Sequence, residues 1–158
     1  MAYVDKNLVL SDAQALTATA VATNVIDLVT ARSIGSGEPL AMVFVVDVAA
    51  DQTTGDEDYT FEVKYASNAA LTAGEQLLGR RVFESGTPTA PAQDADLLVA
   101  GYQFVIPIPP VTADEVAQYL GVEYTLAGTT PTITVTTYLT AMSMVDSRAD
   151  YTSGYTVG

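Results

Sequence analysis

Tyr59-Thr60-Phe61-Glu62-Val63-Lys64-Tyr65 alternates large apolar and polar side chains without a break. Successive side chains of a strand point to opposite faces. This spacing therefore puts Tyr59, Phe61, Val63 and Tyr65 on one side, with Thr60, Glu62 and Lys64 on the other. A helix would scatter the same residues around its axis, so the stretch reads as a half-buried strand. The chain around it repeats the pattern. Val116, Leu120, Val122, Tyr124 and Leu126 share one face, and Ile133, Val135, Leu139, Ala141 and Val145 share another, against Thr132, Thr134 and Thr136. Leu40 to Val46 is apolar throughout, which suits a central strand covered on both faces. Leu97 to Ile108 reads as a further strand running into Pro107, Pro109 and Pro110. Proline cannot donate to a ladder, so that strand must stop there or lie at an edge.

Turn chemistry separates these pieces. Ile34-Gly35-Ser36-Gly37-Glu38-Pro39 precedes the central strand, and Ala127-Gly128-Thr129-Thr130-Pro131 divides the last two. Thr87 to Asp96 reads as a surface loop, and one short helix is expected over Ser67 to Leu78, broken by Gly74. Roughly seven or eight short strands spaced by turns predict an all-β protein, a jelly-roll β-sandwich. Two end segments lack a sustained period: residues 1–23, dominated by Ala, Thr and Val, and residues 147–158, rich in Tyr, Thr, Ser and Gly. They are expected to be extended N- and C-terminal arms flanking a sandwich over residues 24–146. The C-terminal arm carries Tyr151 and Tyr155 as anchors for a partner.

Composition removes several kinds of chemistry. The 158 residues include no histidine, no cysteine and no tryptophan. Ser-His-Asp hydrolysis, Cys-His catalysis, disulfides and His- or Cys-ligated zinc are therefore impossible. No phosphate-cradling G-x-x-x-x-G-K-[ST] run and no G-x-G-x-x-G is present. Carboxylates are plentiful enough for a two-acid glycosidase, but tryptophan to stack on sugar rings is missing. No enzyme and no cofactor is expected. The 19 acidic residues outnumber 6 basic ones, for a formal net charge of −13. Phosphate binding needs clustered cations, and only Arg80 and Arg81 are adjacent, so neither nucleic acid nor an anionic membrane is an expected partner. No signal peptide is visible, and the longest apolar run, Leu40 to Val46, falls far short of the roughly 20 residues that cross a bilayer. A soluble protein is expected.

The densest acidic cluster, Asp51, Asp56, Glu57 and Asp58, lacks the alternating ligand spacing of a calcium loop and reads as a solvated hairpin loop. In the last strand the face opposite the core begins as Thr132, Thr134 and Thr136, then changes to Tyr138, Met142 and Met144. Either a loop covers these three, or they meet another protein, where Tyr and Met are enriched. Tyr138, Met142, Met144, Tyr151 and Tyr155 are thus the candidate interface with another protein or with a second copy of the chain.

Four segments in order carry a resemblance. They are Asp5-Lys6-Asn7-Leu8-Val9-Leu10-Ser11-Asp12-Ala13-Gln14-Ala15-Leu16-Thr17 with the following Ala22-Thr23-Asn24-Val25-Ile26-Asp27-Leu28; Ile34-Gly35-Ser36-Gly37-Glu38-Pro39-Leu40; Leu98-Val99-Ala100-Gly101-Tyr102-Gln103-Phe104 with Ile106-Pro107-Ile108-Pro109-Pro110; and Tyr119-Leu120-Gly121-Val122-Glu123-Tyr124. Together they resemble the cement, or decoration, proteins of short-tailed double-stranded DNA phages, of the Bordetella-phage type. The sequence departs from the pattern at Gln118, where an arginine is expected, and in a longer, more acidic loop from Asp51 to Asp58. The resemblance implies a jelly roll made in the host cytoplasm and carried on the outer capsid surface of the virion. Its implied partners are a major capsid protein of HK97-type fold and a second copy of itself, a homodimer with a trimer as the alternative. It implies no catalytic residues. The rival reading is a carbohydrate- or receptor-binding module of a virion fibre, which can share this architecture.

Overall fold

A computed structural model describes residues 5–32, 37–85, 94–110 and 117–146. Among these described residues nine strands follow in order: β1 (Val9–Leu16), β2 (Ala20–Val21), β3 (Ile26–Arg32), β4 (Leu40–Val48), β5 (Asp58–Ala66), β6 (Gln76–Glu84), β7 (Gln103–Ile108), β8 (Ala117–Ala127) and β9 (Ile133–Ala141). A short helix, α1 (Met142–Asp146), comes after them. The pairings are nested and antiparallel: β1 with β9, β2 and β3 with β8, β4 with β7, and β5 with β6. The chain is thus one long ribbon doubled back at β5–β6. Rolling that ribbon adds the β4–β9 and β5–β8 ladders. Two sheets result, in the orders β1-β9-β4-β7 and β2-β8-β5-β6, with β3 also on β8. This nesting is the jelly-roll topology, with β2 and β3 acting as one interrupted edge strand.

The alternating stretches supply the filling. Tyr59, Phe61, Val63 and Tyr65 are all buried, as are Leu120, Val122 and Tyr124 beside them. From the opposite sheet come Met42, Phe44, Val46, Phe104, Ile106 and Val135. Phe44 stacks on Phe104 with centroids 4.8 Å apart, and Phe61 meets them edge-on at 5.5 and 5.0 Å. These offset and edge-on contacts suit the ring quadrupoles and tie the two sheets together. In β4, Ala41 and Val43 are buried as well as their inward neighbours, as the unbroken apolar run predicts. Pro107 lies in β7, the last strand of its sheet. There a missing N–H costs no ladder bond.

Four expectations need correction. The segment 9–23 is no arm: β1 and β2 belong to the sandwich, and Leu10, Leu16 and Ala22 are in the core. Two register shifts in β1 erase the period that would have revealed it. Ser67 to Leu78 is no helix. Asn68 Oδ1 accepts from the N–H groups of Thr72 and Ala73, Gly74 adopts φ +54°, and β6 begins at Gln76. A loop closed by its own asparagine wins over the helix there. The strand expected over Leu97 to Ile108 starts only at Gln103, after a 3-10 turn (Asp94–Leu97) and Gly101 at φ +88°. The last strand stops at Ala141, where Met142 N–H turns to Pro39 O at 2.8 Å and α1 begins. The C-terminal arm 147–158, residues 1–4, most of the loop Thr87–Asp96 and part of the Ile34–Pro39 turn lie outside the described residues.

Candidate interaction surfaces

The acidic loop is satisfied from within. Glu57 is fully buried, not solvated as expected, and its carboxylate accepts from Thr54 N–H at 2.9 Å, Gly55 N–H at 2.8 Å, Asp56 N–H at 3.1 Å and the Thr54 hydroxyl. Burial alone would raise its pKa. The bonds from Thr54 and the loop N–H groups outweigh that and hold it below the ordinary value. Asp56 is lowered chiefly by the Thr54 hydroxyl, then by Thr129, whose N–H and hydroxyl donate at 3.1 and 2.9 Å. Asp56 therefore ties the β4–β5 connection to the β8–β9 turn, while Glu57 holds that connection together from within. Among the described residues no three carboxylates gather as they would around a metal ion.

The five candidate interface residues separate. Tyr138 lies in β9 opposite Val9 and Val43, on the face away from the core as expected, but it is only 5% exposed. Met142 is half-buried at the start of α1, and Met144 is 40% exposed on the same helix. Tyr151 and Tyr155 lie outside the described residues. Of the three candidates among the described residues, Met144 is the most exposed. Gln118, the departure from the family pattern, donates to Asp27 Oδ1 at 2.9 Å and so ties β8 to β3.

Three surfaces went unforeseen. Val48, Leu97 and Val99 are exposed at one end of the sandwich, where Ala50 N–H bonds Leu98 O and Gly101 N–H bonds Val46 O, both within 2.9 Å. Val29 is exposed on β3 with φ +68°, unusual for a β-branched residue, and its N–H is held by Asp27 Oδ1 at 2.7 Å. The third surface lies between β6 and β7, the two strands that end their sheets on the same flank. An open trough of about 460 Å³ runs there, lined by residues 78–81 and 105–109.

Charge is unevenly used around that trough. On the outer face of β5, Lys64 reaches Glu123, Glu75 at 2.9 Å and Glu62 at 3.5 Å. Burial works against its charge, yet the bonds to Glu123 and Glu75 win and hold the ammonium above the ordinary lysine range. Arg80 shares Glu62 at 3.5 Å. Arg81 turns inward, its guanidinium 4.9 Å from the Phe83 ring centre and 5.8 Å from that of Phe104, and no carboxylate among the described residues pairs with it.

Comparison with known proteins gives one family. Residues 10–139 match the Bbp16 family, which covers most of the chain. No curated protein matches the sequence. Among solved structures, that of the infectious bursal disease virus Gx strain aligns with 83% of this chain and 30% of that one, at 13% identity and a TM-score of 0.37. A likeness that distant bears on neither fold nor function.

Proposed function

The chain belongs to the Bbp16 family of phage structural proteins, and from that premise we propose that it is a capsid cement protein. It binds the outer surface of the assembled head, bridges neighbouring subunits of an HK97-type major capsid protein as a homodimer, and holds the shell against the pressure of packaged DNA. The observation that carries this reading is the family match across residues 10–139.

The fold suits a mechanical task. Two sheets locked by an aromatic core form a stiff block, and a stiff block transmits load between the points it touches. A ligand selective for the assembled shell stabilises it by RT ln(1 + [L]/Kd), about 2.7 kcal/mol per site at a hundredfold excess over Kd. A two-fold pair presents the same patch to two neighbours and multiplies the effect. The acidic excess, with a net charge of −13, is consistent with a protein that faces solvent rather than packaged DNA.

The test is reconstitution. Purified protein is added to heads prepared without it and imaged by electron microscopy. Density repeated over the outer lattice is expected, with lower occupancy when residues 147–158 are deleted. Heads left bare by the full-length chain would overturn the reading.

A further inference from the structure

The trough between β6 and β7 combines three properties. First, its two walls approach closely at Gly79: a Cβ there would stand 2.3 Å from Ile106 Cγ2, so the absent side chain lets β6 draw in against β7. Second, both walls are sheet edges. β6 pairs with β5, and β7 with β4, on one side only among the described residues. Pro107 and Pro109 withhold N–H donors along β7, so an incoming strand would find its main-chain partners along β6. Third, the trough holds Arg80 and Arg81, a third of the six basic residues of the chain. The cation on the adjacent face, Lys64, is already occupied by three glutamates.

Arg81 is the decisive residue. Its guanidinium lies on aromatic rings at the mouth of the sandwich, with apolar Ile106 and Ile108 close by. A guanidinium on aromatic rings keeps its N–H fork available, and that fork matches a carboxylate in a bidentate way. From this charge complementarity we infer that the trough seats an extended segment of the shell protein. That segment lies along β6, presents an Asp or Glu to Arg81 and rests apolar side chains against Ile106 and Ile108. The inference rests on the cement reading and names the grip by which it works. It uses a general mode of recognition, in which an edge strand gives affinity and alternate side chains give specificity.

The test uses purified heads lacking the protein as the probe. Wild-type chain, Arg81→Glu and Arg81→Lys are titrated onto them. Arg81→Glu is expected to weaken binding about tenfold or more, as reversal of a half-buried interface charge does. Arg81→Lys should fall between, because an ammonium keeps the charge and loses the fork. Equal binding by wild type and Arg81→Glu overturns the trough while leaving the cement role intact, whereas wild type that leaves heads bare overturns the cement role itself. Because Arg81 also covers Phe83, a second arm avoids it: Pro109, exposed on the rim, is replaced by a benzophenone-bearing residue and irradiated on heads. A cross-link to a shell-protein peptide containing Asp or Glu is expected. Capture of a second copy of this chain, or of nothing, overturns the inference.

Discussion

The hydroxyl of Tyr124 lies 2.7 Å from Ser11 Oγ in the buried core, although 113 residues separate the two in sequence. The same hydroxyl lies 2.8 Å from Thr137 Oγ1, and Ser11 Oγ donates to Gln14 Oε1 at 2.7 Å. One short polar chain therefore joins β8 of one sheet to β1 and β9 of the other. Gln14 extends it, donating to Val21 O at 3.1 Å and accepting from Thr23 N–H at 3.0 Å. The irregular first strand, which the apolar pattern alone does not pin, is thus held in place by hydrogen bonds. Burial pushes the Tyr124 phenol up to about 12, so it remains a protonated donor through the neutral range.

Tyr124→Phe keeps the ring and removes the bond. Ser11 and Thr137 are then left buried without their shared partner, which is expected to cost about 1–3 kcal/mol. Urea denaturation should show a lower midpoint at an unchanged slope. A midpoint equal to wild type would mean that the polar chain adds nothing to stability.

What the sequence revealed follows from how local each signal is. Tyr59 to Tyr65 could be read because period two needs only neighbours, and Leu40 to Val46 because a strand covered on both faces has no polar side to show. The edge position of Pro107 follows from its own chemistry. β1 was hidden because its register shifts put both Leu10 and Ser11 inside, which no fixed period describes. The burial of Glu57 was hidden because its donors are backbone N–H groups that carry no sequence signature. The trough needs residues 79–81 and 105–109 to meet across the flank, a long-range event of the rolled ribbon. Adjacent arginines in so acidic a chain were the one available hint.

Acid should loosen the β4–β5 connection first. Asp56 and Glu57 both have folded pKa values below their ordinary 3.8 and 4.5, so they contribute stability that is fully present above those values. That contribution is lost as pH falls through the lowered values. The melting temperature should therefore hold near neutrality and drop below about pH 4. Thr54→Val removes the hydroxyl placed beside both carboxylates, so the variant should start less stable and lose less on acidification. Parallel curves for the two proteins would place the acid sensitivity elsewhere.

Two glycines with positive φ should behave differently when substituted. Gly128 has φ +95°, and an added Cβ would stand 2.2 Å from Asp56 O, a backbone atom that cannot step aside alone. Gly101 has φ +88° with nothing within 4 Å of an added Cβ. Gly101→Ala meets only the left-handed strain, about 1 kcal/mol, whereas Gly128→Ala adds a collision and should cost about 2–3 kcal/mol. Thermal melts of the two variants check the order, and a larger loss at Gly101 would contradict it.

Tyr138 and Met144 were grouped by sequence as one surface, and their burial predicts opposite phenotypes. Tyr138 is 5% exposed in β9, so Tyr138→Ala empties space around Val9 and Val43 and should cost about 3 kcal/mol. Met144 is 40% exposed on α1, so Met144→Glu should stay within about 0.5 kcal/mol of wild type in a denaturation curve. On heads the order should reverse. A folded Met144→Glu protein places a charge where an apolar contact is expected and should occupy fewer positions, while Tyr138→Phe, which keeps the ring, should decorate as wild type does. If Met144→Glu decorates fully, α1 faces solvent in the assembled particle and takes no part in the grip.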